Sequence, residues 1–599
     1  MIQKMTKYSI VLLNSELNNF LSELYDFGMM DITRSMKAID DPSKDLLDLV
    51  GRYKALINDI KNLSKSNKEP IEPIDCGFAE DNSSSTLLSN IEQLFTSKKE
   101  LTLKTRELEK QLSEVEVWGD FNVSDLEKIK SMGLIPHFYT VGAKAFDAKW
   151  ASQYAVWELN KAKDQVYFLV LENPGEDFSF PITESKFPEI SSSKVKSQLE
   201  QQYAAMLTIE GKIAYLPNYI DSLESSLSSI EEQLDYYFAQ NAAVKEGEDS
   251  IAVLEGFALT KENKTLTEFL DSSNVYYISS AAKTEDNPPV QLKNNFFARA
   301  FEPIGNIYML PQYGEPDLIP YFAPFYMLFF GLCLGDIGYG IVLLIVGLVV
   351  NFAMPKVKMY GQLIAWLGIG TIVMPLLSGG FFGGKLYEFF PFFKKEYFMN
   401  DMQLFWFGII FGVVHIVFAK MINSIDSFIK KDWDKALSNL GWSILIIALS
   451  FMYAASEMPE PILPTVVVNS SAIAALALIL FCSKPHKKFY LRPIMGITSL
   501  YDITGVFGDV LSYIRLFGLG TAGAILGMVV NSVAMQMSGI PYVGWVLAVI
   551  MLIFGHTLVL ALSALGAFVH PLRLTFVEFY KNAEFTGGGR KFNIFRKKQ

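Results

Sequence analysis

The sequence predicts an α-helical membrane protein with an N-terminal elongated α/β arm, and three observations predict it. Charge is divided. Before Leu318 the chain holds 31 Lys+Arg against 50 Asp+Glu, and from Leu318 onward 21 against 13, so the parts stand at −19 and +8 and sum to the net −11. Apolar residues are divided at the same place: residues 1–317 contain no long apolar run, and the remainder is a succession of them. The first part also carries long heptad tracts. Acidity there argues against a nucleic-acid partner, which needs a basic face. The cysteines, Cys76, Cys333 and Cys482, form no CxxC and no Cys/His cluster spaced for zinc, so neither a disulfide framework nor a metal site is expected. No cofactor is expected either. Without an opening apolar segment, no secretory signal is expected. A soluble intracellular enzyme and a secreted protein are excluded.

The arm is expected over 1–317, built from two small α/β lobes joined by an antiparallel coiled coil. Residues 8–14 (YSIVLLN) read as a strand, SELNNFLSELYDF as a helix capped by Asn14 or Ser15, and Gly28 as its stop before the strand MMDIT. Heptads follow at Leu49, Tyr53, Leu56, Ile60 and Leu63, then resume after a Pro-containing break from Leu87 to Val115. The strongest tract runs from Val195 to Tyr237, thirteen positions of which only Gln202 is polar, with Pro217 as the expected bend. Between the tracts, 137–142, 154–160 and 165–172 read as strands of a far lobe. After them, 250–259 and 274–279 read as partners for the N-terminal strands. The expected divisions are a proximal lobe (1–45 and 245–300), the coil (46–117 and 190–244) and a distal lobe (118–189).

From 318 to 599, apolar runs near the length that crosses about 30 Å of hydrocarbon predict eight transmembrane helices. They fall at 319–334, 337–353, 361–382, 402–423, 437–455, 465–482, 497–537 and 542–582. With both termini in the cytoplasm, the inner loops carry 14 Lys+Arg and the outer loops only Lys385, Lys394 and Lys395, which satisfies the positive-inside rule. The last two runs are about 40 residues each, roughly twice the need of an upright span, so they are expected to be long and tilted.

Those two runs also hold the residues that are costly in lipid. The seventh contains Asp502, Asp509, Ser512 and Arg515; the eighth contains His556, Ser563, His570, Arg573 and Glu578. An ionisable group at the bilayer centre costs roughly 2.5–3.5 kcal/mol on insertion scales and is a functional hypothesis by default. At about 100° per residue, Gly508, Ser512, Arg515, Leu519 and Ala522 share a face lined by small residues, which admits another backbone closely. His556, Ser563 and His570 lie seven apart, with Glu578 and Arg573 near that line. Mutual satisfaction of the two helices, Asp509 or Glu578 pairing with an arginine, is the bland alternative; the whole set reads as an ion path. The segment Gly379–Lys385 matches G-x-x-x-x-G-K, but Leu386 stands where the Mg²⁺-binding Ser/Thr belongs, so its glycines are expected to serve packing. His415 and Lys420 are expected to serve packing and interfacial anchoring.

YGEPDLIPYFAPFYMLFFGLCLGDIGYG (313–340), GDVLSYIRLFGLGTAG (508–523) and ALGAFVHPLRLTFVEFY (564–580) resemble subunit I of bacterial and archaeal V-type (A-type) rotary ATPases, the counterpart of eukaryotic V-ATPase subunit a. The resemblance covers the whole chain in architecture. It implies that the last two spans embrace a proteolipid rotor ring (subunit c/K). It also implies that the lobes hold peripheral stalk subunits of E and G type, and that a central-stalk socket of C/d type and the ATP-hydrolysing head belong to the same complex. The family's essential arginine falls on Arg515 and its second arginine on Arg573, and His570 also matches. Where some relatives place a His after the first arginine or a Glu before the second, this chain has Gly523 and Ser563. The resemblance implies ATP chemistry on other subunits, a plasma-membrane location and two ion half-channels; it does not carry over their exact lining, for which Asp502, Asp509, Ser512, His556, Ser563, His570 and Glu578 of the last two spans are the candidates. A secondary transporter with a cytoplasmic regulatory arm predicts inverted repeats, and spans 1–4 and 5–8 show no such symmetry. A membrane-anchored coiled-coil scaffold leaves the charged last spans unexplained.

Overall fold

The structure is a computed structural model that describes residues 2–34, 37–66, 72–78, 84–119, 121–147, 149–162, 164–172, 178–188, 190–246, 250–457, 463–483 and 492–597. Part of the Pro-containing break and the loop lysines 484, 487 and 488, with Lys598, lie outside these residues. The chain forms two compact units, one of 1–33 with 244–596 and one of 34–243 with 597–599. The described strands longer than two residues are β1 (Met5–Leu13), β2 (Met30–Ile32), β3 (Ile135–Gly142), β4 (Ala155–Ala162), β5 (Gln165–Glu172), β6 (Val244–Glu246), β7 (Ile251–Leu259) and β8 (Tyr276–Ala281).

In the first unit, an antiparallel sheet runs β2-β7-β1-β8 with β6 on β7. β1 lies between the strands expected to be its partners, in register Tyr8↔Gly256 and Tyr8↔Ser279. Alternate residues Tyr8, Ile10 and Leu12 are buried, the period of two of a one-faced strand. The following helix is Leu17–Phe27, and Gly28 ends it at φ +64, the left-handed stop that glycine adopts without strain. The expected cap does not form. Glu16 occupies the cap position without a side-chain bond, because β1 runs to Leu13 and Asn14 and Ser15 are used in the turn that leaves it.

Among the described residues, six helical stretches of this unit are long and apolar enough to cross a membrane: Pro355–Leu376, Lys395–Ile429, Trp433–Ser456, Thr465–Cys482, Arg492–Ser538 and Gly544–Asn582. Ile319–Leu334 and Ile337–Ala353 are apolar but shorter, about 24–26 Å at 1.5 Å per residue. Ile337–Ala353 packs tightly on Lys358–Val373, where a Cβ on Gly347 would meet Ala365 N at 2.4 Å and one on Gly361 would meet Asn351 N at 2.6 Å. Backbones that approach so closely gain dispersion contacts over a long seam.

The expected unbroken seventh helix is a correction. It is three helices, Arg492–Leu500, Asp502–Leu511 and Ile514–Ser538, interrupted at Tyr501 and at Ser512–Tyr513. At the second break Ser512 Oγ donates back to the Gly508 carbonyl at 3.0 Å, a competition with the helix ladder that bends helices. The last helix does continue, as Gly544–Arg573 followed by a π-helical Leu574–Phe579. Pro571, inside it, removes one ladder donor just before the widening.

In the second unit, Asp41–Ser66 packs along Ile220–Ala242 and Ser84–Val115 along Ser192–Tyr215. No heptad position named above is exposed, and Tyr53, Ile60, Ile91, Leu216 and Leu223 are almost fully buried in one cluster. At Pro217 the second tract passes through a 3-10 turn, Leu216–Tyr219. Partly exposed pairs such as Lys54–Glu231 and Lys98–Glu210 (2.7 and 3.0 Å) join facing helices. β3, β5 and β4 form an antiparallel sheet in that order, with Phe168 and Val170 on one side and Leu169 and Trp118 on the other.

Candidate functional site

Arg515 lies in the first turn of Ile514–Ser538, two residues past the buried Tyr513. Tyr513 fixes the break: its ring fills the space where Gly412 lacks a side chain, and its hydroxyl shares a 2.8 Å hydrogen bond with His415 Nδ1. His415 in turn stacks on Phe579, with ring centroids 4.5 Å apart. This histidine is a packing residue. Arg515 is half-buried, its Nη1 is enclosed without a hydrogen-bond partner, and it forms no ion pair among the described residues.

The small residues near Arg515 divide into two sets. Gly520 lies against the Leu332 carbonyl, Gly523 against Ser563 and Gly527 against Gly383, so these glycines seat the chain's own elements. Gly508 and Gly518 face open space, and Ala522 is exposed. The turn at Ser512–Tyr513 interrupts the helix within the face expected from 508 to 522. Along the neighbouring Gly544–Arg573 helix, Phe554, Leu558, Leu562, Leu565 and Val569 are exposed at spacings of four and three, and the stripe ends on exposed Arg573.

Past that stripe the chain buries its carboxylates. Arg573 Nε stands 3.9 Å from Glu578 Oε1, with Glu578 only 2 % exposed. In an α-helix residues five apart are about 140° apart around the axis; a π-turn, closed by i→i+5 bonds, brings them onto one side. Asp509, also buried, accepts from Lys581 Nζ at 3.2 and 3.1 Å and from Asn582 Nδ2 at 3.0 Å. Its partner is therefore a lysine, not an arginine. Lys581 and Asn582 were not among the expected residues, and the only signal for them was their place one helical turn past Glu578. Asp502, seven residues before Asp509, is exposed and stands outside this group.

The seven-residue stripe on the last helix divides likewise. His556 Nδ1 pairs with Tyr339 Oη at 2.8 Å and its Nε2 with Asn531 Oδ1 at 3.0 Å, while Asn531 donates to the Phe382 carbonyl at 2.7 Å. Ser563 packs at Gly523, and His570, half-buried, makes no hydrogen bond among the described residues. The Phe382 carbonyl belongs to the glycine-rich segment, which is a β-hairpin of Gly380–Phe381 and Gly384–Lys385. Buried Asp336 holds it, accepting from Gly383 N at 2.8 Å and from Tyr339 N at 3.1 Å. Sequence reasoning had no means of finding Asp336, Asn531 or Tyr339, whose partners lie up to 217 residues away. Among the described residues no cluster of three or more His, Cys, Asp or Glu is placed to hold a metal ion.

Residues 176–377 match the V-type ATPase 116 kDa subunit family. The A-type ATP synthase subunit I of Methanocaldococcus jannaschii is 29 % identical over 358 residues, 53 % of this chain and 50 % of that one. The V-type ATP synthase subunit I of Borreliella burgdorferi is 24 % identical over 636 residues, covering 100 % of both. The match thus spans about half the length of the archaeal relative and all of the bacterial one. A solved cytoplasmic N-terminal domain of V-ATPase subunit I aligns with 46 % of this chain and 100 % of its own at 14 % identity, with a TM-score of 0.20, too slight a likeness to carry the fold. In sequence, the chain is thus similar to subunit I of V-type and A-type ATP synthases.

Proposed function

We propose that this chain is the membrane stator subunit of a V/A-type rotary ATPase, which couples H⁺ or Na⁺ flow to rotation of a proteolipid ring. On this reading it has eight spans with both termini in the cytoplasm, and residues 1–317 form an arm whose lobes anchor the peripheral stalks. The observation that carries the proposal is Arg515, half-buried with an unpartnered Nη1, beside small residues that none of the described residues covers.

A ring carboxylate crosses lipid in its protonated or Na⁺-bound form, because the bare anion is too costly there. Beside Arg515 the cation favours the ionised form, so the ion is released into one polar half-channel. A new ion loads from the other half-channel, and Arg515 blocks direct leakage between them. Asp509, Glu578, Arg573 and Lys581 are proposed to line one half-channel, with Asp502 and Ser512 at its margin. His556, Ser563 and His570 are proposed to lie along the other. ATP hydrolysis or synthesis is assigned to other subunits.

The test is ATP-driven ion uptake into vesicles, normalised to assembled complex. Arg515→Ala and Arg515→Gln are expected to abolish uptake while assembly persists. Arg515→Lys is expected to be nearly as damaging, since a compact, deprotonatable ammonium replaces a fixed planar charge. Normal uptake by an assembled Arg515→Ala complex removes Arg515 from the mechanism and overturns the proposal.

A further inference from the structure

Between the stretch Pro355–Leu376 and the helix Asp401–Ile429 the chain reads LYEFFPFFKKEYF over 386–398. Its aromatic rings fall into two groups. Phe393 and Phe398 are half-buried and pack on one another with centroids 6.3 Å apart, forming the base of the segment. Phe389, Phe390 and Phe392 are 54 %, 48 % and 87 % exposed, and Tyr397 is 65 % exposed. Phe389 and Phe390 are held outward by edge contacts to Phe381 at 5.5 and 5.9 Å. These rings are therefore displayed from a fixed base, not left loose.

So many adjacent apolar rings in water make a patch that soluble surfaces rarely tolerate. The patch is continuous with exposed apolar positions on both flanking stretches, Val373 and Leu376 before it and Met402 after it. Exposed Lys394 and Lys395 follow the phenylalanines directly and form no ion pair among the described residues. Of the two nearby acids, Glu388 is engaged by the Lys385 backbone N–H, which leaves Glu396 against the two lysines. Aromatic rings concentrate at the level of lipid headgroups, and lysines reach from that level to charged phosphates.

We infer that residues 386–398 are an interfacial lipid-binding loop. Phe389, Phe390 and Phe392 sit below the phosphate level of one leaflet, and Lys394 and Lys395 contact phospholipid phosphates. The inference requires only that the two flanking stretches cross the membrane, so it stands apart from the rotary reading.

Photo-crosslinking in native membranes tests it on the full chain. Benzoylphenylalanine installed at Phe392, and separately at Phe389, is expected to yield protein carrying the added mass of a phospholipid, as does the same group at lipid-facing Val373. In a Phe389→Ser/Phe390→Ser background the lipid adduct at 392 is expected to be lost while the one at 373 remains. An adduct to another polypeptide at 392 overturns the inference, because the loop then docks on protein. No adduct at 392 alongside a lipid adduct at 373 overturns it too, because the loop is then in water.

Discussion

In the Arg34–Ala243 unit Tyr53, Leu223 and Phe168 are enclosed, while Lys61 and Glu224 pair on the surface. Among the helices from Ile319 onward the placement is reversed. Phe352, Ile553 and Leu565 are exposed, whereas Asp336, Glu578 and Asn582 are enclosed. Water drives the first arrangement, since apolar burial is what it rewards. Lipid is as apolar as leucine, so it gives no such drive, and helices there associate through close backbone approach and interior polar bonds. A charge therefore means different things in the two regions: a surface pair in one is decoration, and a buried carboxylate in the other is a commitment.

Four substitutions test that contrast, from the largest effect to the smallest. Leu223→Ala removes a fully buried side chain from the paired helices and is expected to cost about 2–5 kcal/mol. Hydrogen exchange of Ile220–Ala242 in the full chain reads the loss as reduced protection; unchanged protection means that these helices do not rest on their apolar seam. Gly527→Leu places a side chain where even a Cβ would come within 2.7 Å of Gly383 Cα. The expected cost is about 1–3 kcal/mol, seen as faster exchange at 379–385, and retention of slow exchange would show that the hairpin has room to move.

Asp509→Asn removes the charge that Lys581 and Asn582 hold. Breaking a fully buried pair costs about 3–5 kcal/mol, but the Lys581 side chain is 58 % exposed, and solvent screening reduces the expectation to about 1 kcal/mol. A double-mutant cycle with Lys581→Ala measures the coupling, and strict additivity would mean that the two do not interact. Lys61→Ala breaks a pair whose members are both about half exposed, at 47 % and 49 %. Its expected cost is about 0–1 kcal/mol. A loss comparable to that of Leu223→Ala would remove the distinction between decoration and commitment.

The heptads from Leu49 to Leu63 and from Val195 to Tyr237, the strands around Tyr8 and Val170, and the apolar runs were legible because each is a periodic signal within a short stretch of chain. Spacing alone decided which side of each element turns inward, and none of those heptad positions is exposed. The costly residues Arg515, Arg573, Asp509 and Glu578 were legible for a different reason: a charge inside an apolar run is conspicuous whatever it touches.

Partnership was decided only in three dimensions. That Asp509 meets Lys581, that His556 bridges Tyr339 and Asn531, and that Asp336 grips the hairpin at Gly383 depends on distances between segments far apart in sequence. Local geometry was overruled in the same way. Burial of Tyr513 against Gly412 accompanies the break ahead of Arg515, and the π-turn after Pro571 brings Arg573 and Glu578 to one side. Periodicity records what each residue prefers to face; only packing between distant elements fixes which atoms it meets.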